Sequence, residues 1–106
     1  MSLERVIKAL IGLGLSRSDA EIYVYLAKKG PDKAVALAVA LNYNRKKLYT
    51  SLKTLRTKGL VTKDRTIFSA LPFEEALELL IKRKKEQTEV LQEIKKELLT
   101  TWKSNE

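Results

Sequence analysis

Apolar side chains recur at helical spacing from the start of the chain. Leu3, Val6, Ile7, Leu10 and Ile11 share one face, which predicts a first helix over residues 2–11. Gly12 and Gly14 end it. No strand precedes them and their spacing does not suit a phosphate loop, so they read as structural glycines. Ser16 stands at the N-cap of a second helix, with Asp19 at the capping-box position. Ile22, Tyr23 and Leu26 make its buried stripe, and Gly30-Pro31 stops it. Asp32 is placed to cap a third, short helix of small apolar residues: Ala34, Val35, Leu37, Ala38, Val39 and Ala40. Asn42-Tyr43-Asn44 makes a turn, Asn44 caps a fourth helix over residues 45–58, and Gly59 is its stop.

The period then changes. Residues 60–63 and 66–70 are β-prone around a tight Asp64-Arg65 turn, which predicts a short hairpin. Pro72 breaks the chain again. Residues 73–103 contain no Gly or Pro and are dominated by helix formers. At 1.5 Å per residue this last helix spans on the order of 45 Å, more than a domain this small can cover. Two helices joined by a three-residue turn, the first small and apolar and the second basic, outline a helix-turn-helix, and the hairpin after it reads as a wing. The fold class expected is mainly α with a small β-hairpin wing. A winged helix-turn-helix DNA-binding domain is expected over residues 1–71, followed by a long C-terminal dimerisation helix over residues 72–106.

Charge sharpens this outline. Residues 33–70 hold nine cations (Lys33, Arg45, Lys46, Lys47, Lys53, Arg56, Lys58, Lys63 and Arg65) against a single acid, Asp64, for a net charge of +8. The remainder carries twelve Lys and Arg against twelve Asp and Glu and is neutral. Charge confined in this way suits contact with a polyanion rather than general solubility. The chain has no Cys and no His, which removes disulfides, thiolate or imidazole zinc sites, Cys and His nucleophile systems, and the usual general base. The carboxylates are scattered on helical faces without a nucleophile, base and orienter, so no enzyme, metal or cofactor is expected. The N-terminus shows no signal region and no apolar run approaches a membrane span, so a cytoplasmic protein without membrane contact is expected.

Within the fourth helix, Leu48, Leu52 and Leu55 lie together as the core face, while Lys46, Thr50, Lys53 and Thr57 line the opposite one. The helix carries no carboxylate. It therefore forgoes i,i+4 ion pairs and crowds Arg45, Lys46 and Lys47 at the end where the macrodipole disfavours cations. A bound polyanion would offset both costs. Lys and Arg neutralise phosphates or donate to guanine, and Thr offers a hydroxyl to a base edge or a methyl to thymine. Arg45, Lys46 and Thr50 are the candidate base contacts, because the first turns of such a helix enter the major groove. Lys47, Lys53 and Thr54 are candidates for the backbone or groove edge. So are Asn44, although capping is its first task, Lys33 before the third helix, and Lys63 and Arg65 on the wing.

Several short blocks are similar to a known family: Leu-Gly-Leu-Ser at residues 13–16, Asp19-Ala20-Glu21-Ile22-Tyr23, Leu48-Tyr49-Thr50-Ser51-Leu52-Lys53-Thr54-Leu55, Lys58-Gly59-Leu60-Val61, and Ala70-Leu71-Pro72-Phe73-Glu74-Glu75-Ala76-Leu77. In this order they resemble the N-terminal domain of TrmB-type archaeal transcriptional regulators over about residues 3–80, and MarR-type regulators share much of the outline. The resemblance implies sequence-specific DNA binding, dimerisation and transcriptional control. Larger members continue into a sugar-binding effector domain, whereas this sequence ends near the long helix, so the resemblance does not extend to effector sensing; a small molecule at the dimer interface stays open. The wing is also short.

In the last helix Leu77, Leu80, Leu91, Ile94, Leu98 and Trp102 fall near a heptad seam that Lys84 and Gln87 interrupt. Leu91, Ile94, Leu98 and Trp102 have no evident partner within the chain and are the candidate dimer interface. A homodimer on double-stranded DNA is the leading reading. A sequence-neutral architectural protein using the same surface, and a winged helix that binds an acidic protein partner, remain alternatives.

Overall fold

Eight elements follow one another along residues 3–104, the span that the computed structural model describes: α1 (Leu3–Gly12), α2 (Arg17–Lys29), β1 (Asp32–Lys33), α3 (Ala34–Leu41), α4 (Arg45–Thr57), β2 (Val61–Asp64), β3 (Ile67–Ala70) and α5 (Phe73–Ser104). Positions 1, 2, 105 and 106, which the expected segments include at their ends, lie outside the described residues.

Local chemistry sets most of these boundaries. The Ser16 hydroxyl accepts from the Asp19 amide at 3.1 Å, and Asn44 Oδ1 accepts from the Lys47 amide at 2.8 Å, so each cap satisfies an amide the helix leaves unpaired. Gly14 and Gly59 end α1 and α4 in one way. Both have positive φ, +111° and +78°. Gly14 N–H donates to Ile11 O and Leu15 N–H to Leu10 O; Gly59 N–H donates to Arg56 O and Leu60 N–H to Leu55 O. These are Schellman closures, and each brings a buried leucine after the glycine onto a buried leucine of the last turn.

The core is built on the leucine face of α4. Leu48, Leu52 and Leu55 meet Ile22, Tyr23 and Leu26 of α2, Leu10 of α1 and Leu37 of α3, all at 1% exposure or less. Ser51 shares that face, and its hydroxyl lies 3.0 Å from that of Ser18, a polar pin between α2 and α4. Tyr23 donates its hydroxyl to the Leu71 carbonyl, which ties α2 to the chain leaving β3. Burial pushes the Tyr23 phenol up to about 12 from its ordinary 10. The folded state thus favours the neutral phenol. Its stabilisation is fully present below pH 10 and is lost as pH rises from about 10 to about 12. Thermal melts between pH 9 and 12 are expected to show a falling Tm across that window. The fall should be smaller in Tyr23→Phe.

Two expectations are corrected. Asp32 does not cap α3. It forms β1 with Lys33, pairing antiparallel with β3 in the register Asp32↔Phe68 and Lys33↔Ile67, and its carboxylate accepts from the Lys33 amide instead. Lys33 holds the N-cap position and offers no side-chain acceptor. The wing is therefore the outer part of a three-stranded sheet of order β1-β3-β2. The hairpin turn is Arg65-Thr66, since Asp64 pairs with Ile67, and Arg65 carries the positive φ of +60° that the turn requires. Leu60 precedes β2 and Thr66 precedes β3.

α5 begins as part of the body and leaves it. Ala76 and Leu80 are buried and Leu77 and Leu79 pack against the core. Leu80 is 3% exposed, so two positions of the heptad seam already face this chain's own core. Every residue from 84 to 104 is exposed.

Candidate nucleic-acid interface

The face of α4 opposite its leucines is open along its length: Lys46, Thr50 and Lys53 are exposed on it, and Arg45 and Lys47 are exposed to its sides. The body divides the candidate residues between two grooves that flank this ridge. Between α4 and the start of α2, Asn44, Lys46, Lys47, Thr50 and Thr54 line one groove together with Ser16 and Ser18. Between α4 and β2, Lys53, Arg56, Thr57, Thr62 and Lys63 line the other. Arg45 stands apart, beside Val35, Val39 and Tyr49 on a small apolar surface shared with α3. Lys33 lies across β3 from the outer strand that carries Lys63. Arg65 is exposed in the hairpin turn.

Several side chains are already engaged. Thr50 donates its hydroxyl to Lys46 O at 2.9 Å and Thr54 to Thr50 O at 3.1 Å. In this rotamer Thr50 presents a groove with an acceptor lone pair and a methyl group, not a donor. Asn44 Oδ1 is occupied by the helix cap. Lys58 reaches back to the Gly14 carbonyl at 3.2 Å, which makes it a brace between the ends of α1 and α4. Lys47 and Lys63 rest their ammonium groups over aromatic rings, 5.1 Å from the Tyr43 centroid and 5.4 Å from that of Phe68. Both cations are thus aimed by a ring fixed in the fold.

Tyr43 belongs to a longer chain of contacts that the sequence did not signal. Its hydroxyl donates to Glu21 Oε1. Arg17 is bonded to Glu4 of α1 and lies 3.7 Å from Glu21. The path Glu4–Arg17–Glu21–Tyr43–Lys47 therefore runs from the first helix through the helix-turn-helix turn to α4. Burial, and then the Glu21 bond, push the Tyr43 phenol up to about 12. Tyr43→Phe keeps the ring under Lys47 but removes the hydroxyl. It is expected to lower stability by about 0.5–1.5 kcal/mol in denaturant titrations. Tyr43→Ala removes the support of Lys47 as well and should lower affinity for duplex DNA beyond any effect of the Phe variant.

Arg56 and Thr62 are the additions the structure makes to the candidate set. Arg56 is near the far end of α4 by sequence, but the hairpin folds back to share a groove with it. Among the described residues no cluster of acidic side chains could hold a metal ion, and no helix is long and apolar enough to cross a membrane.

Comparison with known proteins agrees with this architecture. The profile of the family described as "Sugar-specific transcriptional regulator TrmB" matches residues 10–74. No curated protein matches in sequence. A possible transcriptional regulator from Methanosarcina mazei has a similar structure, with 18% identity and a TM-score of 0.64 over 92% of this chain and 88% of that one. A transcriptional regulator from Thermotoga maritima shares 23% identity at a TM-score of 0.56, covering 93% and 84% of the two chains. A MarR-like transcriptional regulator from the same organism has 17% identity and a TM-score of 0.54, covering 95% and 96%. At these identities the likeness is one of fold: the winged helix with a long C-terminal helix.

Proposed function

Because the chain belongs to the TrmB family of transcriptional regulators, we propose that it binds double-stranded DNA sequence-specifically as a homodimer, with α4 in the major groove. The carrying observation is the segregation of charge: a net +8 within residues 33–70, displayed on a helix face without a carboxylate and continued by the wing. α4 and β2 flank one basic groove, so phosphates on both sides of a helix seated in the major groove would meet cations.

In this reading Arg45, Lys46 and Thr50 meet base edges. Lys47, Lys53, Thr54 and Arg56 meet the groove walls, and Lys33, Lys63 and Arg65 meet the flanking backbone. Thr50 contributes its methyl or acceptor lone pair, which favours thymine or a base amino group over a guanine acceptor edge. The apolar side chains Leu91, Ile94, Leu98 and Trp102 are the self-association surface, residues 1–71 the DNA-binding domain and residues 72–106 the dimerisation segment. The expected setting is the cytoplasm.

Selection from random duplexes at about 150 mM salt tests the reading. A motif of two inverted half-sites is the expected result. Recovery of no motif, with binding retained, would replace it with sequence-neutral coating by the same surface.

A further inference from the structure

We infer that residues 81–104 of α5 pair antiparallel with the same segment of a second copy, so that the two winged-helix bodies lie at opposite ends of the pair. This rests on the homodimer reading and specifies the surface and its geometry. The segment is exposed throughout from residue 84 onward. On it Ile81, Val90, Leu91, Ile94, Leu98 and Trp102 are between 42% and 71% exposed. Those from Val90 onward make an apolar face over residues 90–102 with nothing over it in the protomer, set apart from Ile81 by the polar stretch 82–89. Leu80 is buried in the chain's own body, so a partner helix has room only beyond it.

Charge decides the direction. Lys82, Arg83, Lys84 and Lys85 form a run of four cations at the start of the segment, while Glu86, Glu89, Glu93 and Glu97 follow with the more dispersed Lys95, Lys96 and Lys103. Parallel, in-register pairing would lay the two four-cation runs side by side and put Lys84, a seam position, against itself. Antiparallel pairing separates the runs by roughly 27 Å at 1.5 Å per residue, beyond three Debye lengths at physiological salt. It also sets each run beside the last turn of the other helix, where the negative end of the macrodipole favours cations.

One register satisfies the apolar face. With the twofold axis between residues 92 and 93, Leu91 packs on the partner's Ile94, Leu98 covers the partner's Gln87, and Trp102 covers the partner's Ile81. No large apolar side chain on the seam is then left bare, and none of the contacts requires Leu77 or Leu80. The two bodies, measured between the Leu80 positions, stand roughly 37 Å apart along the pair.

The chain has no cysteine, so single-cysteine variants of the full chain report cleanly. Lys82→Cys and Lys103→Cys lie off the seam; each is spin-labelled and distances are read by pulsed electron resonance, with light scattering on the same samples. Antiparallel pairing gives about 30–35 Å within either labelled dimer and under about 20 Å in a mixed dimer of the two variants. Short distances within each labelled dimer, and a long one in the mixture, overturn this pairing but leave the homodimer standing. Dimers with no short distance in any combination overturn the pairing as well, because the helices then do not pack on one another. A monomer by light scattering overturns both readings.

Discussion

Lys46→Glu combined with Lys53→Glu is expected to lower affinity for duplex DNA by about 30- to 10⁴-fold, corresponding to about 1–3 kcal/mol per contact. Both side chains are exposed and neither packs in the core, so the melting temperature should stay close to that of the parent. Each reversal removes a cation from the seated helix and adds an anion facing phosphates, so the effect exceeds simple truncation. Lys46 lines the groove toward α2 and Lys53 the groove toward β2, so the pair tests both walls of the interface. A control with the same change in net charge separates local contact from overall field. Lys28→Glu with Lys29→Glu alters the exposed end of α2, where Lys28 neighbours Leu3 and Phe73 rather than α4. The control should retain most of the affinity, and the interface variant should also lose about 0.9 per removed phosphate contact from the slope of log K against log salt. Equal losses in the two variants would reject the α4 face and leave only a diffuse electrostatic attraction.

The features legible in the sequence are those whose cause is local. Ser16 and Asn44 announce helix starts because a short acceptor side chain next to an apolar period has few other uses. Gly14 and Gly59 announce helix ends because a left-handed residue is needed within two positions of the last turn. The leucines of α4 give its inner face, and the lysine and threonine stripe its outer face, from the 3.6-residue period alone. Long-range pairing leaves no such trace. β1 is two residues long and exists only because β3 lies beside it; Asp32, read locally, looks like a cap. Whether the hairpin turns on Asp64-Arg65 or Arg65-Thr66 is a one-residue shift that the pairing with β3 decides. Ser51 sits on the buried face of α4 as a hydroxyl, and its partner Ser18 is 33 residues away. The Glu21–Tyr43 bond and the groove that unites Arg56 with Lys63 arise in the same way, between elements whose sequences carry no sign of each other. The seam of α5 was readable as a period, and its far part, Leu91 to Trp102, as a face without a partner in the chain; that Leu77 and Leu80 belong to the body was not, because periodicity does not say which neighbour covers a face.

Leu91→Glu with Ile94→Glu is expected to convert the protein to a monomer and to lower its apparent affinity for a two-half-site duplex by about 10²- to 10⁴-fold, while leaving affinity for an isolated half-site nearly unchanged. The first part follows from burial. Leu91 and Ile94 are 63% and 42% exposed in the protomer, so glutamate costs the folded monomer little. In a dimer it would place carboxylates without partners in an apolar seam, where desolvation is costly. The second part follows from tethering. When one body is bound, the other is held near its half-site at an effective concentration in the millimolar range, and the gain disappears with the tether. The third part follows from separation, since α4 and the wing are remote from residues 91 and 94 and keep their contacts. Far-UV circular dichroism should show some loss of helix, because an unsupported stretch of about 20 residues is only marginally stable as a helix in water, whereas the cooperative melt of the body should persist. Light scattering gives the mass and binding to duplexes with one and with two half-sites gives the ratio. A variant that remains dimeric would place self-association elsewhere on the molecule; a monomer that binds both duplexes as the parent does would mean that a single winged helix carries the whole of the recognition.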